Sequence, residues 1–518
     1  MDILDSMHAL EESASILLKE SAADRFGQVS PSIYETARLV SLAPWLGGHR
    51  ARIRFLLDGQ DPAGLWGGNG AYRIIPTLSA TEALLTVLRR DRPFADRDHG
   101  RILTAADRGL RALFGWFGVA SGATLPDTVA VELLVPALVA DVNQHLDDLA
   151  RDPATRFAAS RGGRRLVPPR ALDPAPLHRL RTLVRAGTPV PEKLWHSLEI
   201  FGPAVQGAPF VRPAHGAVGC SPAATAAWLG DRVPPGSTQA SVQYLTDVQD
   251  ANGAVPVGAP VDVFEHAWML AQFAGAGMSV APPPGLLDSL HAGFGRAGAS
   301  VGAGLLPDVD DTATTLYALA RYGSPHPPDS LREYKTGRHF ACFPAERTAS
   351  PSANAHVLQA LGATGHSGRS ERGELASWLR EQQHADGYWT DKWHASPFYA
   401  TACCVAALTE ADADSAESIM KAADWVLAGQ RADGSWGRFQ GTYEETAYAI
   451  QILIAADAVH IGQSVGRGCR FLRDWGEREH PPLWHDKDLY TPVRVVRATG
   501  LAALRLARTC PRVPAEHA

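Results

Sequence analysis

Three observations predict a mostly α-helical chain. Segments such as "ATEALLTVLRR", "DTVAVELLVPALVADV", "TATTLYALARYG", "SANAHVLQALGA" and "EETAYAIQILIAA" place apolar residues at three- and four-residue spacing, the signature of helices with a buried face. Many of these runs stop at Gly or Pro, as helix ends do, and long alternating strand patterns are scarce. The third observation is a repeated turn. "QDPAGLW" begins at Gln60, "QDANGAV" at Gln249, "QHADGYW" at Gln383 and "QRADGSW" at Gln430, and the last two share the pattern QxxDGxW. Asp or Asn favours the bend, Gly takes a backbone conformation closed to other residues, and Trp can pack back on the helix ends. Four copies imply helical hairpins that stack or close into a ring to bury their faces.

The elements follow in chain order. "MDILDSMHALEESASILLKES" is an acidic amphipathic helix with Ile3, Leu4, Met7, Leu10, Leu17 and Leu18 on one face. It has neither the basic start nor the apolar centre of a signal peptide. "RDPATRFAASRGGRRLVPPRALDPAP" is Arg- and Pro-rich and reads as an exposed loop. "VAPPPGLLDSL", around Pro282, is the best candidate for a domain junction, with two of the repeated turns before it and two after. No apolar run approaches the roughly 18 residues of a membrane span, so no stable membrane insertion is expected.

Bulk composition bounds the function. The chain has 518 residues, of which 45% are hydrophobic and 20% charged, which suits a large core and two or more domains. A net charge of -6 argues against a nucleic-acid partner. The six cysteines form no CxxC and no zinc-ligand spacing with histidine; reduced thiols and a cytoplasmic location are the reading.

"LLPDVDDTATTLYAL", from Leu305, crowds Asp308, Asp310 and Asp311 into four positions at a helix start. One acid there would be a capping residue. Three repel one another and push their pKa values up. A DxDD metal site is disfavoured by the lack of nearby His or Glu ligands. The repulsion itself is useful: a carboxylic acid kept protonated by its neighbours can serve as a proton donor.

At this point the chain resembles the class II terpene cyclases, and among them the bacterial class II diterpene cyclases of copalyl diphosphate synthase type. Asp308-Val309-Asp310-Asp311 matches their DxDD motif, and the QxxDGxW turns belong to the same superfamily. "AVELLVPALV" from Ala130 is similar to their FExxFPSL segment, and "EKLWHSLE" from Glu192 to LHSLE. "CSPAATAAWL" from Cys220 is similar to SPxxTA, "VPVGAPVDVFEHAW" from Val255 to VPxxxPVDxFEHxW, and "LWHDKDLY" from Leu483 to WIGKxLY.

The resemblance implies an all-α fold of two double-layered α-barrel domains. Residues 1–24 would join the second barrel, 25–280 would form an inserted barrel, and 281–518 would carry DxDD, with the active site between the domains. It implies cyclisation of geranylgeranyl diphosphate, started by protonation, to a bicyclic diphosphate of copalyl type or a rearranged one, with the diphosphate retained. Asp310 would be the acid, Asp308 and Asp311 would hold it protonated and pointed, and Asn354 would hydrogen-bond it. Carbocations need electron-rich walls rather than water; Trp195, Phe264, Trp268, Phe398, Tyr399 and Tyr443 are the candidates. Magnesium is implied near Glu132, with Asp127 assisting. Lys487, Arg179 and Arg181 are the candidate diphosphate contacts, although His178 occupies the ungapped position of the family's basic residue.

In plant members of the family, the LHSLE histidine and a VPN-segment asparagine hold a water that removes the final proton. His196 is present, but the asparagine's position is Val257, which cannot bind a water; the terminal proton is expected to leave by another route. Three alternatives stay open: a squalene- or hopene-type cyclase, a sesquiterpene class II cyclase making a drimenyl-type diphosphate from farnesyl diphosphate, and a non-enzymatic helical-repeat binding protein. Incubation with C15, C20 and C30 substrates separates them. Product stereochemistry and oligomeric state are not encoded in any motif.

Overall fold

Each repeated turn closes on itself and then fastens two helices. In all four copies the residue after Gln donates its N–H to the carbonyl four positions on, and the Gly N–H returns to that residue's carbonyl, at 2.8 to 3.0 Å. The Gly φ values are +87° at Gly64, +76° at Gly253, +99° at Gly387 and +88° at Gly434. In three copies the Gln amide donates both to the carbonyl four residues on and to a carbonyl of the next outer helix: Ala105, Ser418 and Ser464. In the same three copies the buried Trp reaches back ten residues to a helix carbonyl: Trp66 to Leu56, Trp389 to Leu379 and Trp436 to Val426. The copy at Gln249 lacks the Trp, and its amide bonds Leu245 instead.

The structure, a computed structural model, describes residues 7–90, 96–119, 125–150, 164–169, 172–232, 236–344, 346, 348–365, 368–411 and 413–514. Most of the Arg-rich segment from Arg151 lies outside them, as do Ile3 and Leu4. The chain divides into two compact units: residues 1–28, 260–484 and 491–518 form one, and 29–259 with 485–490 form the other.

The helices in chain order are α1 (Met7–Ala23), α2 (Ile33–Leu42), α3 (His49–Asp58), α4 (Ile74–Arg90), α5 (Asp96–Val119), α6 (Val131–Ala150), α7 (Ala175–Arg185), α8 (Pro222–Leu229), α9 (Gln239–Asp247), α10 (Asp262–Gly275), α11 (Leu286–Ala292), α12 (Val309–Arg321), α13 (Pro351–Thr364), α14 (Arg369–Glu381), α15 (Pro397–Ala411), α16 (Ala416–Ala428), α17 (Tyr443–Ala455), α18 (Gly462–Arg473) and α19 (Val493–Thr509). Strands among the described residues are two-residue pairs, such as Pro31–Ser32 against Val255–Pro256. None of the helices among the described residues is long and apolar enough to cross a membrane.

In the unit of residues 29–259, α2, α4, α6, a 3-10 segment (Glu192–Val205) and α8 pack in sequence, and α8 returns to α2; α3, α5, α7 and α9 lie outside them. In the other unit, α10, α12, α13, α15, α17 and α19 pack in that order and α19 closes on α10. There α1, α11, α14, α16 and α18 each bridge two inner neighbours. Burial separates the layers. Every residue of α4 from Ile74 to Val87 and of α12 from Val309 to Leu319 is buried, as befits helices covered on all sides. In α18 only Val465, Gly466, Gly468, Cys469 and Leu472 are.

The unit boundaries differ from those expected. Residues to Gln28 stay with the first unit because Glu265 of α10 gathers them. It accepts Ser21 Oγ at 2.5 Å and the Gln28 N–H at 2.8 Å, while Arg494 bridges Glu265 and Asp24. The second break falls at 259/260 rather than 280/281, because α10 packs on α1, α12 and α19.

The turn glycines yield a test. A Cβ at Gly387 would stand 2.4 Å from the Lys421 carbonyl oxygen, whereas one at Gly365, also at positive φ, meets nothing within 4 Å. Gly365→Ala should therefore cost only the left-handed penalty of about 1–2 kcal/mol. Gly387→Ala should cost that plus the overpacking, about 1–3 kcal/mol more. Urea unfolding midpoints of the two variants check the order.

Candidate active site

The helix start that carries the acids is built by one of them. Asp308 is the N-cap of α12, and its Oδ1 accepts the Asp311 N–H at 2.8 Å. Its own C=O and N–H are tied to Thr312 and Ala299. Asp310 and Asp311 fall in the first turn, and all three carboxyls are buried. Burial is the main reason Asp308 rises to about 6, reinforced by the charge of Asp310 and opposed by hydrogen bonds from Asp311. Burial, then the charge of Asp308, drives Asp311 well above the ordinary carboxylate range. Asp311 Oδ1 has no hydrogen-bond partner among the described residues.

Asn354 does not bond the acid. Both amide hydrogens are spent on backbone, one on the Phe340 carbonyl at 2.9 Å and one on the Ser350 carbonyl at 2.8 Å, and its Oδ1 accepts the Phe340 N–H. With two N–H donors and both used, Asn354 fastens the 335–340 hairpin to α13. The partner of Asp310 is His356, two residues on, with Nδ1 at 2.6 Å from Asp310 Oδ1. Burial opposes a charge on this imidazole, but Asp310 and then Cys403 outweigh it and hold its pKa well above the usual value.

Aromatic rings extend from this pair. Trp268 meets the His356 ring edge-on at 5.5 Å; Phe264 lies 4.5 Å from Trp268 and 5.5 Å from Trp484. Trp484 lies 4.8 Å from Tyr399, which meets Tyr448 at 5.6 Å. Phe264, Trp268 and Tyr399 thus join one cluster with the acid, and the Trp268 indole N–H and Tyr399 hydroxyl have no partner within it. Phe398 and Tyr443 lie in other clusters, against Trp425 and against Trp475 with His480. Trp195 belongs to the second unit, where its indole bonds the Val190 carbonyl.

In that second unit the expected diphosphate contact at Lys487 fails, and His196 is not placed to act as a base. Lys487 is wholly buried, and its three N–H donors go to Glu35 at 2.6 Å, Ser221 at 2.8 Å and Glu199 at 3.0 Å. It is an internal strut, with nothing left for a diphosphate. His196 places Nδ1 2.7 Å from the Gly219 carbonyl and Nε2 2.9 Å from Asp486 Oδ1. Both partners are acceptors, so both nitrogens carry protons. Burial disfavours this cation, but Asp486 outweighs burial and raises the His196 pKa. An imidazolium with both N–H groups engaged has no lone pair to take a proton, and Val257 beside this segment is buried and apolar.

Glu132 and Asp127 are exposed at and just before the start of α6, where Ala130 holds φ +52°. No group of three or more His, Cys, Asp or Glu among the described residues is placed to hold a metal alone. Magnesium needs no such cage when a substrate supplies phosphate oxygens and one or two carboxylates complete the set, so the donors fit. Arg179 is exposed on α7, while Arg181 is partly buried with Nε on the Ile200 carbonyl.

Sequence reasoning missed His356, Cys403 and Trp484. His356 had a signal. Residues 354 and 356 lie about 200° apart around a helix, so only one of them can face the acid. The "TYEETA" start of α17 also repeats the "DVDDTA" start of α12, cap for cap, with Thr442 bonding the Glu445 N–H as Asp308 bonds that of Asp311.

The raised pKa of Asp308 has a consequence for stability. Its folded value, about 6, lies above the ordinary 3.8. Its contribution is therefore complete below about pH 4 and lost as pH rises through about 6, a change of about 3 kcal/mol. Asp308→Asn keeps a capping side chain and should flatten the pH dependence of unfolding free energy between about pH 3.5 and about pH 7.5 by an amount of that order. Urea titrations at the two pH values measure it.

Comparison with known proteins agrees with this geometry. The squalene-hopene cyclase C-terminal domain family matches residues 346–492. The chain is 45% identical over 516 residues to the ent-copalyl diphosphate synthase of Streptomyces sp. (strain KO-3988), covering 96% of each. It is 40% identical to the labda-7,13-dienyl diphosphate synthase of Streptomyces clavuligerus, covering 97% of this chain and 94% of that one. The solved ent-copalyl diphosphate synthase from Streptomyces platensis superposes with a TM-score of 0.90 at 43% identity, over 96% of this chain and 99% of that one. With near full-length identity at this level and the buried DxDD helix start in place, the chain belongs to the bacterial class II diterpene cyclases of the copalyl diphosphate synthase family.

Proposed function

We propose that the protein protonates the terminal alkene of geranylgeranyl diphosphate and closes the chain to a copalyl-type bicyclic diphosphate, the diphosphate being retained. The observation that carries this reading is Asp310, buried between two further carboxyls and in contact with His356. An alkene is a poor base, so its acid must be dry, protonated and ready to lose its proton. Burial and like charge keep protons in the cluster. The Nδ1–H of His356 on Oδ1 is set to stabilise the carboxylate as it forms, while the proton leaves from Oδ2. Phe264, Trp268 and Tyr399 offer ring faces to the cation that results.

Glu132 and Asp127 would hold magnesium together with the substrate's diphosphate, neutralising its charge; exposed Arg179 is the remaining candidate contact. All six cysteines are free thiols, which supports a reducing, cytoplasmic location.

Asp310→Asn should abolish bicyclic product with the melting temperature unchanged, because Asn is nearly isosteric and donates no strong proton. His356→Asn should lower turnover by about 10²-fold or more. Conversion of geranylgeranyl diphosphate by wild type and variants, followed by mass spectrometry of the dephosphorylated product, measures both; near-normal turnover in Asp310→Asn overturns the mechanism.

Glu132→Ala should raise KM for the diphosphate substrate and weaken the response to magnesium, with the smaller effect on kcat. A diphosphate contact binds ground and transition states alike. A fall in kcat with KM and magnesium dependence unchanged would remove Glu132 from this role.

A further inference from the structure

The terminal proton has no acceptor at His196, so an acceptor must lie elsewhere. Of the carboxylates around the acid's aromatic cluster, most are fully engaged. Glu445 takes Ser396 Oγ and the Arg438 N–H on one oxygen and Thr442 Oγ1 on the other. Asp391 takes Ser350 Oγ, the Ser352 N–H and the Trp393 N–H. Glu444 differs. It is 2% exposed, and its Oε1 takes three donors: Trp484 Nε1–H at 2.7 Å, Tyr448 O–H at 3.3 Å and His394 Nε2 at 3.3 Å. On its other nitrogen His394 meets both the N–H of Ser396 at 3.0 Å and the Ser396 carbonyl at 3.2 Å. Oε2 of Glu444 is buried and has no hydrogen-bond partner among the described residues.

No lysine or arginine among the described residues pairs with Glu444. A buried carboxylate with its donors all on one oxygen and none on the other is costly to keep. It becomes favourable when a positive charge arrives beside it. Glu444 is the second residue of α17, as Asp310 is of α12. In the closed order of six inner helices these two stand three places apart in either direction, and the chain of rings from His356 through Trp268, Phe264 and Trp484 ends on Glu444.

We propose that Glu444 is the base that ends the reaction: its free Oε2, at the far end of the aromatic cluster from Asp310, removes the terminal proton from the bicyclic carbocation. The C–H bond next to the cationic carbon breaks, its electron pair becomes the new C=C bond, and the proton goes to Oε2. Asp310 gave one proton and Glu444 receives one, so the reaction is an isomerisation. The enzyme resets by exchange of both carboxyls with solvent after release. Tyr448, Trp484 and His394 are positioning residues that fix Oε1 and so aim Oε2.

The assignment rests on the proposed cyclisation, and the test separates the two. Wild type and Glu444→Gln are incubated with geranylgeranyl diphosphate, and the dephosphorylated products are identified by mass spectrometry and NMR. Absence of any bicyclic product from wild type would refute the cyclisation itself. With wild type active, the variant should lose about 10²-fold in kcat, and its residual product should be diverted to other double-bond isomers or a water-captured alcohol. Wild-type turnover, or reduced turnover with unchanged product composition, overturns the assignment, because the proton would then leave to another group. If circular dichroism shows that Glu444→Gln does not fold, Glu444→Asp decides. A lowered kcat with KM within about twofold and the wild-type product supports a displaced base; wild-type kcat rejects it.

Discussion

Three carboxyl groups share the first turn of one buried helix, and they cannot all be ionised there. Much of the molecule exists to make that arrangement tolerable. Asp308 spends an oxygen on capping the helix, Asp311 keeps its proton under the pressure of burial and the Asp308 charge, and Asp310 faces His356. The hairpin at 335–340 and α13 are held together by Asn354, and α13 in turn carries the imidazole that makes Asp310 usable. Local electrostatics and the packing of the inner helices are thus one design. A shift of α13 against α12 would separate the acid from its counter-charge before it disturbed the core.

The ring of inner helices solves a second problem. A helix covered on every side has no solvated face, so its polar groups must be met from within the protein. The QxxDGxW turns do the same for carbonyls of the outer helices. A single Gln amide closes its own turn and ties down the next outer helix, and one indole returns to the helix just left. The inner helices are rich in Ala and Thr, as in α12 and α15, small residues that let neighbours approach closely.

The layered helical fold was legible because its signals are local: periodicity, punctuating Gly and Pro, and a repeated turn whose hydrogen bonds follow the motif letter by letter. The acid was legible because three adjacent aspartates have no cheap structural explanation. What sequence could not supply was how side chains divide their valences. Lys487 reads as a free cation and is a strut inside a cage of Glu35, Glu199 and Ser221. Asn354 reads as a partner for the acid and serves backbone instead. The unit boundary at 260 was missed because the Pro-rich stretch around Pro282 is a loop inside a unit, and a loop and a junction share one composition.

The His196–Asp486 pair bears on how such enzymes change. An imidazole becomes a base only when one nitrogen is free, and here a carbonyl and a carboxylate occupy both. Placing an amide at Val257 leaves the imidazolium charged; removing the Asp486 carboxylate leaves it without a water to activate. Neither step alone yields a working proton acceptor, and the second exposes a buried polar group on the way. A lineage that has built this ion pair is therefore separated from the histidine-and-water chemistry by a valley of two substitutions. Its products are then left to diversify through residues outside this pair.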